Sequence, residues 1–283
     1  EVLAETYQKT ADSNVEVPTF GFSQSVWWFA CDLDYRGESA KEFLFEIAYP
    51  MLDHLSVYLV HAEGPTQQWD LGDSLAFSDR PIQYRNFIVP VKFPPKGKAK
   101  VFIRVQTSGS LQIPLELWSK AGFRAESLKT TFSEGAYFGL MFVMFLYNLC
   151  LWFWTGQRSY GFYSGYVFTV SIFVAGLHGL CFQYLWPESA IWHGSSLAVF
   201  TYFIVVGITG FSSSFLQIRL YDPLMKSFLI TAAALAGLGA AVSLVIPYSV
   251  SIRIATALNV IAVSLCLWAG LRALGRGFKP ARI

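Results

Sequence analysis

The sequence predicts a jelly-roll-like β-sandwich followed by an all-α bundle of membrane-spanning helices. Three features of the chain carry this reading. Charge falls away abruptly near residue 134, long uncharged runs follow, and the residues before the break alternate apolar and polar at period two.

Of the 283 residues, 54% are hydrophobic and only 14% charged, against about a quarter charged in soluble domains. An ordinary soluble enzyme does not fit. The net charge of +2 supplies no basic field for a nucleic-acid partner. Residues 1–134 hold 13 Lys/Arg and 17 Asp/Glu, whereas residues 135–283 hold 8 Lys/Arg and only two acids, Glu188 and Asp222. The halves suit different solvents. Glu1 reads as the start of a mature or trimmed chain. The cysteines are Cys31, Cys150, Cys181 and Cys266, and only the first lies in the polar half, so no disulfide is expected within it.

Within residues 20–118 the clearest strands are 26–33, 43–49, 55–61, 82–91, 100–107 and 111–118. Turns fall at Gly64-Pro65, at Pro94-Pro95-Lys96-Gly97 and at Ser108-Gly109-Ser110, the last short enough for a hairpin. Many short strands without a convincing helix predict a sandwich. Residues 119–134 read as a tight link with no Gly/Ser spacer, which favours mechanical coupling. The domains expected are an outer sensory sandwich over 1–128, able to fold alone, and a transmembrane region over 129–283.

After Glu134 the charged residues enclose uncharged runs of 23, 29, 30, 26 and 18 residues. A hydrocarbon core about 30 Å thick needs roughly 20 apolar residues per helix. Five spans are expected, near 135–156, 159–180, 195–216, 227–246 and 252–272. If the first runs inward, the inner segments carry seven cations (Arg158, Arg219, Lys226, Arg272, Arg276, Lys279 and Arg282) and the outer ones only Arg253. The positive-inside bias then places residues 1–134 outside and the C-terminus in the cytoplasm.

No Walker loop, nucleophile elbow, His-Glu-x-x-His or Cys-x-x-Cys occurs, so no catalytic activity is expected within these residues. A sugar-like ligand needs aromatic platforms beside planar hydrogen-bonding groups. Trp27, Trp28, Asp53, Tyr58, Arg80, Arg85 and Arg104 are the candidates. Trp27 and Trp28 are neighbours on one strand and face opposite ways, so one packs in the core and the other stays free. Parity with Val26 leaves the choice between them open. Arg80, between Asp79 and Pro81, suits a turn as well as a ligand contact. No cofactor is expected, although Asp70, Asp73 and Asp79 beside Gly72 offer oxygen ligands for Ca²⁺. Within the spans, Asn148 suits an interhelical hydrogen bond, and His178, Cys181 and His193 are a conceivable metal set.

Several stretches resemble the bacterial seven-transmembrane receptors with diverse intracellular signalling modules. In the outer half these are Val26-Trp27-Trp28-Phe29, Tyr49-Pro50-Met51-Leu52-Asp53, Phe77-Ser78-Asp79-Arg80-Pro81 and Ile113-Pro114-Leu115. In the membrane half they are Tyr137-Phe138-Gly139, Leu146-Tyr147-Asn148-Leu149, Arg158-Ser159-Tyr160 and the run Gly176 to Pro187. The resemblance implies a type 2 extracellular domain that is carbohydrate-binding-like, and seven spans of which five are present here. It also implies an inner-membrane sensory receptor with a periplasmic head, whose ligand is a small molecule, glycan or ion. Its cytoplasmic output module would be a diguanylate cyclase or histidine kinase. The lipid bilayer and a homodimer are the other expected partners. A transporter or a lectin-like adhesion protein is the competing reading. The spans contain no acidic relay, which weighs against transport.

Overall fold

The computed structural model describes residues 19–22, 25–61 and 65–275. Gly64 and the cations Arg276, Lys279 and Arg282 of the sequence reading lie outside the described residues. The chain divides into two compact units. One comprises residues 1–129 together with His178–His193, and the other Thr130–Leu177 with Gly194–Ile283.

The first unit is an antiparallel sandwich. One sheet has the order β2 (Trp27–Asp34), β7 (Lys98–Gln106), β4 (His54–His61) and β5 (Gln67–Leu71). The other has the order β6 (Phe87–Phe93), β3 (Lys41–Ile47) and β9 (Leu115–Ser119). A short pair joins β1 (Thr19–Phe22) to β8 (Ser110–Gln112). Period-two alternation sends Val57, Val101, Ile103 and Val105 of the first sheet against Phe45, Ile47, Phe87, Val89 and Val91 of the second, all nearly inaccessible. At roughly 25 cal/mol per Å² this apolar burial is the main term holding the sheets together.

Three strand expectations change for physical reasons. Pro114 has no N–H to donate, and the run 111–118 splits there into β8 and β9, which join different sheets. The run 82–91 becomes strand only from Phe87, because the Tyr84 and Arg85 carbonyls are taken by the Arg80 side chain. The turn at 108–110 makes no hairpin. Both edges of β7 are occupied by β2 and β4, so β8 pairs with β1 instead.

The link 119–134 is helical. Helix α1 (Lys120–Thr155) begins on the residue after β9, and the boundary between the units falls inside it, after Lys129. Its first residues contain the helix formers Ala121, Ala125, Glu126 and Leu128, whose charged neighbours hid the period in a hydropathy reading. Lys120 Nζ lies 2.6 Å from Glu42, and the Phe123 ring meets Tyr84 edge-on at 5.0 Å.

Further helices follow: α2 (Arg158–Leu177), the short α3 (Leu180–Tyr184), α4 (Ala190–Phe215), the short α5 (Ile218–Tyr221), α6 (Pro223–Val242) and α7 (Tyr248–Gly275). The five long ones, α1, α2, α4, α6 and α7, are long and apolar enough to cross a membrane. The shortest have 20 residues, about 30 Å at the helical rise of about 1.5 Å per residue. Within the second unit the ends of α4, α6 and α7 converge on Leu216, Ile218, Met225, Leu229, Ala269 and Ala273. Asp222 caps α6 by accepting from the Met225 N–H at 3.1 Å and also pairs with Arg272 at 2.8 Å. Higher up, Gly239 lets α6 lie against the ring of Tyr202, since an added Cβ would sit 2.5 Å from its Cε1. Asn148 does not bridge helices. Its amide donates to the Met144 carbonyl one turn back, at 2.8 Å, a bond its own helix already supplies.

Candidate ligand face and a buried charged centre

Strand register builds a chemically mixed face on the outer side of the four-stranded sheet. Trp28 pairs with Arg104, Arg104 with Ser56, and Ser56 with Asp70, so one residue from each strand stands in a single row. The next row runs Ala30, Phe102, Tyr58 and Gln68. Trp28 and Tyr58 stack at 5.9 Å with a 24° angle between rings. Asp70 accepts from Ser56 Oγ at 2.7 Å and from Gln68 Nε2 at 3.0 Å, and Arg104 Nη2 donates to Gln106 Oε1 at 3.4 Å. An aromatic pair flanked by a guanidinium, a carboxylate and two amides is therefore presented on one flat scaffold, half-exposed rather than buried. Trp27 has the opposite parity. It packs towards the core, 4.6 Å from Phe20 and 6.5 Å from Phe29.

Asp53, Arg80 and Arg85 lie in the connections instead. The Asp53 carboxylate receives the Ser108 N–H at 2.8 Å, the Ser108 hydroxyl at 2.6 Å and the Thr107 hydroxyl at 3.3 Å, which pins the turn after β7. Its backbone carbonyl accepts from the Ser74 hydroxyl. Arg85 is buried, with its guanidinium 5.6 Å from the Tyr84 ring.

Arg80 is the centre of the second feature. Only 6% exposed, it donates through Nη1 to the carbonyls of Tyr84 (2.9 Å) and Arg85 (2.7 Å). Its guanidinium lies 4.7 Å from the Phe77 ring, 4.5 Å from Phe87 and 5.5 Å from Phe182. Desolvated cation–π contacts of this kind contribute about 2 kcal/mol each. Asp73, 7% exposed, is buried close enough to Arg80 for the two to influence each other's charge. Burial pushes its carboxyl up to about 8, with the Asp53 charge adding to the rise while Arg80 opposes it. Burial also lowers the Arg80 guanidinium to about 10, against the pull of Asp73.

Phe182 comes from the segment His178–His193, which connects α2 to α4 and belongs to the sandwich unit. Several contacts hold it there. The Phe77 N–H donates to the Pro187 carbonyl at 3.0 Å, and Ser78 Oγ reaches Glu188 at 3.4 Å. Phe182 meets Phe77 edge-on at 5.7 Å and stacks on His193 at 4.3 Å. His193 Nε2 lies 3.9 Å from Asp73 and its Nδ1 is 3.3 Å from the Trp186 indole nitrogen. Gly179, in the left-handed conformation at φ 74°, approaches so closely that a Cβ would sit 2.9 Å from Pro50 Cβ and 3.2 Å from the Arg85 carbonyl. Hydropathy placed 178–180 at the end of the second span and 181–193 in a short outer turn, and offered no sign that they enter another domain. The aromatic density of the stretch Phe182 to Trp192 was the available signal.

Among the described residues no group of three His, Cys, Asp or Glu side chains lies close enough to hold a metal ion. The three aspartates considered for Ca²⁺ have separate surroundings: Asp70 on the open face, Asp73 in the buried centre and Asp79 exposed in a single 3₁₀ turn.

A sandwich followed by five helices long and apolar enough to span defines a membrane protein with a folded head. Residues 2–119 match the family model described as 7TMR-DISM extracellular 2, and residues 130–283 match the one described as 7TM diverse intracellular signalling. The chain belongs to the 7TM diverse intracellular signalling receptors, with a type 2 extracellular domain. A comparison with curated proteins gives no match.

Proposed function

We propose that the chain is the sensory part of an inner-membrane receptor, with the sandwich in the periplasm. The sandwich binds a small saccharide-like ligand on the Trp28/Tyr58 face, and the helices relay its occupancy to a cytoplasmic output module. By family resemblance that module is a diguanylate cyclase or histidine kinase. The observation that carries the reading is the segment His178–His193. It joins two membrane-crossing helices yet is built into the sandwich through Phe182, Arg80 and Asp73. A ligand that favours one packing of the sandwich thereby acts on residues covalently continuous with α2 and α4.

Binding is tested with a panel of mono- and oligosaccharides on the full chain in nanodiscs. Trp28→Ala and Tyr58→Ala are expected to weaken any saccharide that binds by about tenfold or more, as loss of a central aromatic anchor does. Their melting temperatures stay close to wild type. Trp27→Ala is expected to lower the melting temperature, since Trp27 is partly buried against the core and its loss costs part of the about 3–5 kcal/mol of a fully buried aromatic. If saccharides bind and neither face variant weakens them, the site lies elsewhere.

The orientation has its own check. Alkaline phosphatase fused after Trp118 is expected to be active in a bacterial host, and fused after Ile283 inactive. The opposite pattern inverts the topology. The placement of 178–193 with the sandwich requires the two to share one side of the bilayer, and the fusions report which side that is.

A further inference from the structure

The second unit contains a cavity of about 530 Å³ between α2, α4 and α6. It opens where α2 begins, α4 ends and α6 begins, at the helix ends away from the 178–193 connection. Three cations line it, Arg158, Arg219 and Lys226, together with the hydroxyls of Ser213 and Ser214. Thr209 and Gln217 add polar groups, and the rest of the wall is apolar, from Phe162, Val206, Leu229, Ile230 and Ala233. Among the described residues none of the three cations has a carboxylate within 4 Å, and the acid nearest in the chain, Asp222, is engaged by the Met225 N–H and Arg272. Three like charges around one cavity repel one another unless an anion sits among them.

We propose that this cavity holds the phosphate of an anionic phospholipid, with an acyl chain along the Phe162–Leu229 wall. A soluble anion would satisfy the cations but would leave the apolar wall facing water. A zwitterionic lipid would bring its own cation into a cluster that is already positive. An acidic lipid meets both halves of the lining, and juxtamembrane cations of this sort attract such lipids at about 1 kcal/mol each, roughly fivefold in affinity. The site takes part in no step of the ligand reading above, and its test stands apart from it.

The experiment uses the full chain in detergent, titrated with phosphatidylglycerol and, separately, phosphatidylcholine, with lipid retention read by native mass spectrometry. Retention of phosphatidylglycerol but not phosphatidylcholine is expected. Arg219→Gln and Lys226→Gln are each expected to weaken retention about fivefold. Added salt should weaken it further, while Lys100→Gln on the sandwich leaves it unchanged. Both cavity residues are accessible at the surface, so the variants should melt like wild type, and Lys226→Glu should abolish retention if either glutamine variant folds poorly. Equal retention of the two lipids, or full retention by the doubly substituted chain, overturns the proposal. So does displacement of phosphatidylglycerol by inorganic phosphate, which would assign the cations to a soluble anion.

Discussion

Replacing Arg80 by Met is expected to cost the outer unit about 1–3 kcal/mol for each buried carbonyl left without its donor, on top of the lost packing. The side chain does three jobs at once. It satisfies the carbonyls of Tyr84 and Arg85, fills the space between Phe77, Phe87 and Phe182, and favours the ionised form of Asp73 against the pull of burial. Methionine restores part of the volume and none of the other two. The loss should be local as well as global. Hydrogen exchange on the full chain should show residues 180–193 losing protection before the strands of the sandwich do, because Phe182 loses a principal partner. Unchanged protection across that segment, together with an unchanged melting temperature, would show that Arg80 does not hold it.

The second large effect concerns pH. Asp73 has a folded-state carboxyl raised from the ordinary 3.8 to about 8. A raised acid binds its proton more tightly folded than unfolded. Between about pH 4 and pH 8 the folded state therefore holds more of this proton, and its contribution to stability falls as pH rises through that window. Below the window both states are protonated, and above it both are ionised, so the dependence ends at each side. Asp73→Asn keeps the shape and removes the titration. Burial also lowers His193 to about 4, which by itself makes stability rise with pH up to about 6.5, so the Asp73 contribution is read as the difference. The variant's melting temperature should gain on wild type steadily from about pH 4.5 to 8. At pH 8 the variant should be the more stable of the two, unless Arg80 without its acid offsets the gain. The double variant Asp73→Asn, Arg80→Met separates those contributions as a thermodynamic cycle. A difference between variant and wild type that does not grow with pH across the window would exclude a buried, proton-retaining Asp73.

The strands were readable because each solvent-facing sheet alternates. Val101, Ile103 and Val105 against Phe102, Arg104 and Gln106 announce their faces without knowledge of a partner. The five spans were readable for a similar reason, since a run without charge has only one environment that accepts it. Which tryptophan lies inside was not readable. It depends on Trp27 being registered with Val105 and Trp28 with Arg104, a relation between strands some seventy residues apart. The clasp was least visible. Arg80 in Ser78-Asp79-Arg80-Pro81 has the local look of an exposed turn, and its burial between Phe77 and Phe87 is completed by Phe182, which belongs to a distant connection. Strand β5, with Gln67, Gln68 and Asp70, was missed because an edge strand with a polar outer face has little apolar period to show.

The return of His178–His193 to the sandwich also has a consequence for biosynthesis. The head of this receptor is discontinuous in sequence, and its last pieces leave the ribosome only after α1 and α2 have been made. A chain extends at about 5–20 residues per second, so the strands wait several seconds for Phe182, His193 and Gly179. During that interval the Arg80 pocket is open to water on one side. Completion of the head is therefore coupled to insertion of the first two helices. A chain whose early helices fail to insert is left with an unfinished domain, visible to the proteases and chaperones outside the membrane.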